Sequence, residues 1–133
     1  MFTRLDGENA LLEIQKLKGT ERAKLLEKII RLETNHFRSK QYALSGSAGM
    51  EQGAWHGIDE TKFSTFQMKD NHLTGAKQMR TFIKWNSVYD FLLYLSDYID
   101  RHKGNYARWN SMMPERQEAY RIKLKGIVNR TIK

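Results

Sequence analysis

One glutamate, Glu33, carries the strongest chemical signal in this chain of 133 residues. Residues 20–33 place apolar side chains at helical spacing, and Glu33 continues that series four residues after Ile29. We therefore expect the carboxylate to project from a buried stripe near the carboxyl end of a helix. Burial disfavours the charged form, so the pKa should be raised. A carboxylic acid that is still protonated near neutral pH can donate a proton to a glycosidic oxygen.

A structural role for Glu33 is the alternative that the same residues leave open. Its carboxylate could form an ion pair with a basic neighbour, for which the candidates are Arg31, Arg38 and Lys40. It could also lie at a frayed helix end. Neither arrangement would give Glu33 a part in catalysis.

Two segments of the chain resemble a family of wall-degrading enzymes. Residues 32–40, LETNHFRSK, resemble the start of the catalytic motif of flagellar-type and autolysin-type glucosaminidases, in which a helix ends in the catalytic glutamate. Residues 79–91, MRTFIKWNSVYDF, resemble their pattern of a strand that enters a helix. More loosely, the first segment is similar to that of lytic transglycosylases. The resemblance implies a lysozyme-like peptidoglycan hydrolase that cleaves the β-1,4 bond between N-acetylglucosamine and N-acetylmuramic acid, with Glu33 as general acid. Within that fold, glucosaminidase, muramidase and lytic transglycosylase activities stay open.

A second acid should complete such a site. Most glycosidases place it about 5 to 5.5 Å from the first for retention, or about 6.5 to 9.5 Å away for inversion. The resemblance implies an acid on a β-hairpin, so Glu60 before a strand and Asp70 at a turn are better candidates than Glu51 and Asp59. A substrate with a 2-acetamido group can also supply its own nucleophile, and Glu33 would then suffice.

Substrate contacts should come from amphipathic rings. Sugar rings stack on aromatic side chains that are half exposed near loops and element ends, although such rings often belong to the core. We expect His36 to be a hydrogen-bonding neighbour of Glu33. The candidate aromatic residues are Trp55, Trp85, Tyr98, Tyr106 and Trp109.

The sequence predicts neither a metal nor a cofactor. Glu33 and His36 form one Glu-x-x-His pair, but a dimetal site needs a second copy. The remaining histidines are not at metal-ligand spacing, and no phosphate-binding glycine loop is present.

The elements that must position these residues are mainly helical. Helices are expected over residues 8–17, 20–33 (with Thr20 as N-cap), from a cap at Asn86 or Ser87 to 101, and 114–129, with a helical turn in 105–111. The last helix is expected to face inward with Tyr120, Leu124, Ile127 and Val128. Strands are expected at 61–68 and 79–85, and the stretch from 38 to 57 reads as loop. The predicted fold class is mainly α (α+β), a lysozyme-like helical domain with a small antiparallel β flap, spanning residues 1–133 as one domain.

Composition restricts the partners. The chain has 23 basic and 15 acidic residues, a net charge of +8, and no cysteine. We expect a monomer that binds peptidoglycan glycan strands, with no nucleic acid and no membrane span. A nucleic-acid-binding module, suggested by the basic last helix, and an inactive glycan-binding domain are the alternatives. No export signal is seen, so we expect synthesis in the cytoplasm and action on the cell wall after release or delivery.

Overall fold

The computed structural model describes residues 1–48, 58–70 and 78–133, with the backbone alone at residues 68–70 and 78. Its helices are α1 (Arg4–Lys18), α2 (Thr20–Glu33), α3 (Lys40–Ser45), α4 (Val88–Arg101) and α5 (Pro114–Lys125), with 3₁₀ turns at Glu60–Lys62 and Tyr106–Trp109. Strands β1 (Phe63–Asp70) and β2 (Gln78–Trp85) pair antiparallel, with Phe63 opposite Trp85. The predicted class, mainly helical with a small antiparallel sheet, is confirmed.

The core lies where α1, α2 and α4 pack together. Its largest fully buried aliphatic side chains come from all three helices and from β2: Leu11, Ile14, Leu26, Ile29, Ile30, Ile83, Leu92, Leu95 and Ile99. Burying each side chain of this size stabilises the fold by about 1.5–3 kcal/mol relative to leaving it exposed. The core therefore holds the carboxyl end of α2, where Glu33 lies, against its neighbours.

Capping residues decide where the helices begin. α1 begins at Arg4, before the predicted residue 8, because Thr3 and Asp6 form a reciprocal capping box with bonds of 3.2 and 2.8 Å. The predicted cap of α4 is confirmed, since Ser87 accepts a bond from the N–H of Asp90. The predicted N-cap at Thr20 is wrong. Thr20 is the first residue of α2, and Gly19 precedes it at a φ of +92°.

The carboxyl-terminal segment departs from the prediction. α5 ends at Lys125 and not at residue 129, and the last residues of the chain return to α2, where Ile132 is fully buried. Tyr120 and Leu124 face inward as predicted, but Val128 is 65% exposed. The predicted inward position of Val128 is therefore wrong.

The segment after Glu33 is more ordered than its composition indicates. Residues 40–45 were expected to be loop, but they form α3, whose N-cap Ser39 accepts a bond from the N–H of Tyr42. The predicted glycine-rich loop continues into residues 49–57, which lie outside the described residues. In residues 1–48, 58–70 and 78–133, no helix has both the length and the apolar character to cross a bilayer.

Candidate functional site around Glu33

Thr34 ends α2 directly after Glu33. Its hydroxyl donates to the carbonyl of Ile30 (2.5 Å) and accepts from the N–H of Phe37 (2.9 Å). Its carbonyl accepts from the N–H groups of Arg38 and Ser39, both at 3.0 Å. The chain therefore turns sharply, and Glu33 is left on the last turn of the helix with its side chain accessible to solvent.

The surroundings of Glu33 favour its protonated form. Desolvation by the surrounding protein raises the pKa of the carboxyl group, and this effect outweighs the opposing effects of the Tyr120 hydroxyl and the Lys123 ammonium. Glu33 therefore combines access from solvent with a pKa above its ordinary value. The raised pKa of Glu33 agrees with the sequence prediction, but its predicted position on a buried stripe is wrong, because the residue is exposed.

Tyr120 of α5 lies close enough to Glu33 to act on its pKa. Its side chain is only 3% exposed, and its hydroxyl has no aligned hydrogen-bond partner within the described part of the chain. Burial and the Glu33 charge both raise the pKa of Tyr120, so the hydroxyl keeps its proton. A small movement of either side chain would align it as a donor to Glu33. Sequence analysis placed Tyr120 in the core and did not connect it with Glu33.

The alternative of an ion pair between Glu33 and Arg31 is wrong. Arg31 is 2% exposed, and its guanidinium contacts Glu27 at 2.8 Å and Glu8 at 3.7 Å. Among the described residues no ion pair engages Glu33, and Lys123 acts on it at longer range. The carboxyl group is therefore not held by a structural salt bridge there.

The fully buried carboxylate of α2 is Glu27, which sequence analysis did not single out. It accepts bonds from Arg31 and from the side-chain amide of Asn129 (3.0 Å). It also accepts three backbone N–H bonds from the returning carboxyl terminus, at Arg130, Thr131 and Ile132. Burial alone would raise the pKa of Glu27, but these donors outweigh burial and lower it. Glu27 is thus a charged structural residue.

Three of the predicted aromatic residues come together, with Phe91 and Tyr94, in what we call the aromatic cluster. The rings of Tyr98 and Trp109 pack edge to face with their centroids 5.1 Å apart, and the ring centroids of Trp85 and Tyr94 lie 5.5 Å apart. Tyr98 and Trp109 are half buried, as expected for rings that could contact a sugar. Trp85 is only 3% exposed, so the prediction of a half-exposed ring is wrong for this residue. Trp85 lies at the end of β2, packs against Phe91 of α4 and belongs to the core.

Tyr106 and His36 lie apart from that cluster. Tyr106 lines a hollow of about 270 Å³ between α2 and α5, and its hydroxyl is close enough to Tyr120 to raise the pKa of that residue. His36 lies among arginine side chains. Within the described residues it makes no hydrogen bond to Glu33, and its Nδ1 is buried without a partner. The predicted contact between His36 and the acid is therefore not formed in this structure.

The candidate second acids lie on or beside the hairpin. Glu60 is exposed in the 3₁₀ turn that precedes β1, as predicted. Asp70 is the last residue of β1 and was expected in the turn itself. Asp59 accepts bonds from the N–H and hydroxyl of Thr61, and these bonds lower the pKa of Asp59. Glu51 and the predicted aromatic Trp55 lie outside the described residues.

A further hollow lies between α1 and the hairpin. It measures about 610 Å³, and it was not foreseen from the sequence. Charged and aromatic side chains line it, including Asp6, Glu13, Lys84 and Tyr89. Where side chains are described, no group of three or more histidine, aspartate or glutamate residues is placed to hold a metal ion.

Comparison with protein-family models, with curated proteins and with solved structures found no match to this chain. The functional interpretation therefore depends on the geometry around Glu33 and on the sequence pattern that contains it.

Proposed function

We propose that this protein is a peptidoglycan hydrolase of the lysozyme-like class, in which Glu33 is the general acid. The bond cleaved is the β-1,4 linkage between N-acetylglucosamine and N-acetylmuramic acid, and the glucosaminidase type is preferred. One observation carries the proposal: a carboxyl group that is open to solvent has surroundings that raise its pKa. That combination is what protonation of a glycosidic oxygen requires.

In the proposed reaction, Glu33 donates its proton to the leaving oxygen as the glycosidic bond breaks. Positive charge then develops at the sugar's anomeric carbon. Either the 2-acetamido group of the substrate or an acid from the hairpin, with Glu60 and Asp70 as candidates, stabilises that charge. Tyr120 is a positioning residue, because its protonated hydroxyl lies beside the Glu33 carboxyl group and limits where it can move.

Two further features support a polysaccharide substrate. Tyr98 and Trp109 of the aromatic cluster are half buried, so each can offer part of a ring to the apolar face of a sugar. The net charge of +8 favours approach to an anionic wall polymer. Either feature would also suit a domain that binds glycan without cleaving it, which is why the test must detect bond cleavage.

Mass spectrometry of purified peptidoglycan after incubation with the protein tests the proposal. New reducing N-acetylglucosamine ends would identify a glucosaminidase, and reducing N-acetylmuramic acid ends a muramidase. Products with 1,6-anhydro ends would identify a lytic transglycosylase. Each of these outcomes supports glycan-strand cleavage and selects one type. Intact glycan strands after prolonged incubation would overturn the proposed function and favour an inactive binding domain.

A further inference from the structure

A second chemical feature lies just beyond Glu33, where arginine side chains surround a hollow of about 380 Å³. We call it the arginine hollow. It is lined by Arg4, Arg31, His36, Phe37, Arg38 and Arg130. Residues from α1, α2, the turn after α2 and the carboxyl-terminal segment thus converge on one concave surface.

The charge in the arginine hollow is not balanced. Arg31 forms its floor and is held by Glu27 and Glu8, while Arg4 lies 3.6 Å from Glu8. Within residues 1–48, 58–70 and 78–133, the four guanidinium groups are paired with no carboxylates other than these two. Arg38 and Arg130 are exposed, and neither guanidinium has an ion-pair partner among the described residues. Their side chains remain available to an anion from solution.

His36 is half buried and lines the same hollow. Its Nδ1 is buried and has no hydrogen-bond partner within the described part of the chain. Burial, followed by the charges of Arg130, Arg31 and Arg38, lowers the pKa of His36. The ring is thus mostly neutral at pH 7, and it can donate one hydrogen bond.

The backbone that presents His36 is in an uncommon conformation. Asn35, His36 and Phe37 have φ values of +49°, +57° and +65°. A left-handed conformation costs a non-glycine residue about 1–2 kcal/mol. Such a cost is tolerated where the surrounding structure enforces it, and it is concentrated at functional sites. Here the N–H of His36 donates a hydrogen bond of 2.8 Å to the Arg31 carbonyl. The central carbon of the Arg31 guanidinium lies over the Phe37 ring, 5.0 Å from its centroid.

We propose that the arginine hollow is an oxyanion-binding site in which His36, Arg38 and Arg130 hold a carboxylate or phosphate group. Guanidinium groups bind both kinds of oxyanion through paired, charge-assisted hydrogen bonds. The Arg31 floor supplies further positive potential without being free to move, because its own hydrogen bonds to Glu27 and Thr131 fix it. This site goes beyond the proposed hydrolase activity and does not depend on it.

A titration followed by the ring resonances of His36 in the full chain tests this site. Inorganic phosphate and acetate are added in separate experiments, with ionic strength held constant by sodium chloride. We expect a saturable shift of the His36 signals and an upward shift of the His36 pKa with at least one probe. Tighter binding of phosphate would indicate a phosphate-bearing ligand, and tighter binding of acetate a carboxylate-bearing one. A response that never saturates with either probe would overturn the site.

Substitutions separate a built site from general charge attraction. Arg38→Gln and Arg130→Gln should each weaken binding about tenfold or more, as expected for the loss of a charge-assisted bond. Arg116→Gln removes the same charge from an exposed position outside the hollow, and it should leave the affinity unchanged. An equal loss with Arg116→Gln would overturn the proposal. The titration involves no glycan cleavage, so its failure would leave the proposed hydrolase activity standing, and the converse also holds.

Discussion

Two glutamates six residues apart on α2 have opposite electrostatic environments. Glu27 is fully buried and accepts five hydrogen bonds, and four of the donors lower its pKa: Arg31, Thr131, Ile132 and Asn129. Glu33 is accessible to solvent, yet desolvation raises its pKa. Tyr120 and Lys123 lower this pKa, but they offset the effect of desolvation only in part. The number of donors, and not the depth of burial, therefore decides the direction in which each pKa moves. Of these two residues, Glu33 is the one that combines a raised pKa with access to solvent.

The raised pKa of Glu33 predicts a cost to stability at neutral pH. When the pKa of a carboxyl group is higher in the folded state than in the unfolded state, the group stabilises the fold at pH values below the unfolded-state pKa. This stabilisation is lost as the pH rises through the folded-state pKa. Glu33→Gln removes the charge at all pH values. We therefore expect a higher melting temperature than the parent at pH 7 and a smaller difference near pH 4. A variant less stable than the parent at pH 7 would contradict the raised pKa.

Replacing Glu27 should have the opposite consequence. Glu27→Gln removes a buried charge that holds Arg31 and the carboxyl-terminal backbone, so we expect a loss of about 3 kcal/mol or more in the free energy of unfolding. The pKa of Glu27 is lowered from its ordinary value of 4.5, so its contribution to stability is present at pH values above 4.5. This stabilisation is lost as the pH falls through the folded-state pKa. Urea denaturation measures both effects.

The matched control for Glu27 is Glu21 on the same helix, whose side chain is 93% exposed. Glu21→Gln makes the same chemical change at the surface and should alter the free energy of unfolding by about 0.5 kcal/mol or less. Similar losses in the two variants would show that Glu27 does not hold the carboxyl terminus.

At the scale of elements, local signals were predictable from the sequence and distant partners were not. The N-cap at Ser87 and the apolar face of α4 lie within a few residues of one another, so the sequence pattern was sufficient. The return of residues 130–132 to α2 depends on Glu27, about 100 residues earlier in the chain. The closeness of Tyr120 to Glu33 likewise arises from the packing of α5 against α2, which no local spacing indicates.

The contact between α1 and the turn after Glu33 gives a prediction at this scale. A Cβ atom added at Gly7 would lie 2.3 Å from the ring of Phe37, which is itself packed edge to face against Tyr42. Gly7→Ala should therefore destabilise the fold by about 1–3 kcal/mol, even though alanine favours a helix. It should also lower activity, because Phe37 belongs to the turn that follows Glu33.

Gly126→Ala is the matched control for Gly7, since its added Cβ has only an ordinary contact of 3.5 Å and the backbone φ is −81°. Thermal denaturation of both variants measures the difference. If Gly7→Ala were as stable as Gly126→Ala, the close packing of α1 on this turn would be disproved.

At the scale of the whole molecule, the net charge of +8 should govern attachment to the wall. Screening lengths fall from about 10 Å at 0.1 M salt to about 3 Å at 1 M. We therefore expect the fraction of protein that sediments with purified cell wall to fall steeply over this range. Binding that does not change with salt would show that contacts other than charge hold the protein on the wall.

The shape of the molecule could be predicted only in part. Apolar periodicity indicated the helices and the hairpin, but the hollows arise where elements distant in sequence meet. The arginine hollow is one example, since Arg4 and Arg130 lie near opposite ends of the chain. His36 was predicted beside Glu33 because the two are close in sequence. The left-handed turn at 35–37 instead carries His36 into the arginine hollow.

The most direct test of the proposed general acid compares the clearing of purified peptidoglycan by the parent, Glu33→Gln and Glu21→Gln. Glutamine keeps the shape of Glu33 but has no proton of suitable acidity, so we predict a loss of about a hundredfold or more in rate. Glu21→Gln should clear the wall at the parental rate, and both variants should be folded. Clearing by folded Glu33→Gln at the parental rate would contradict the assignment of Glu33 as the general acid.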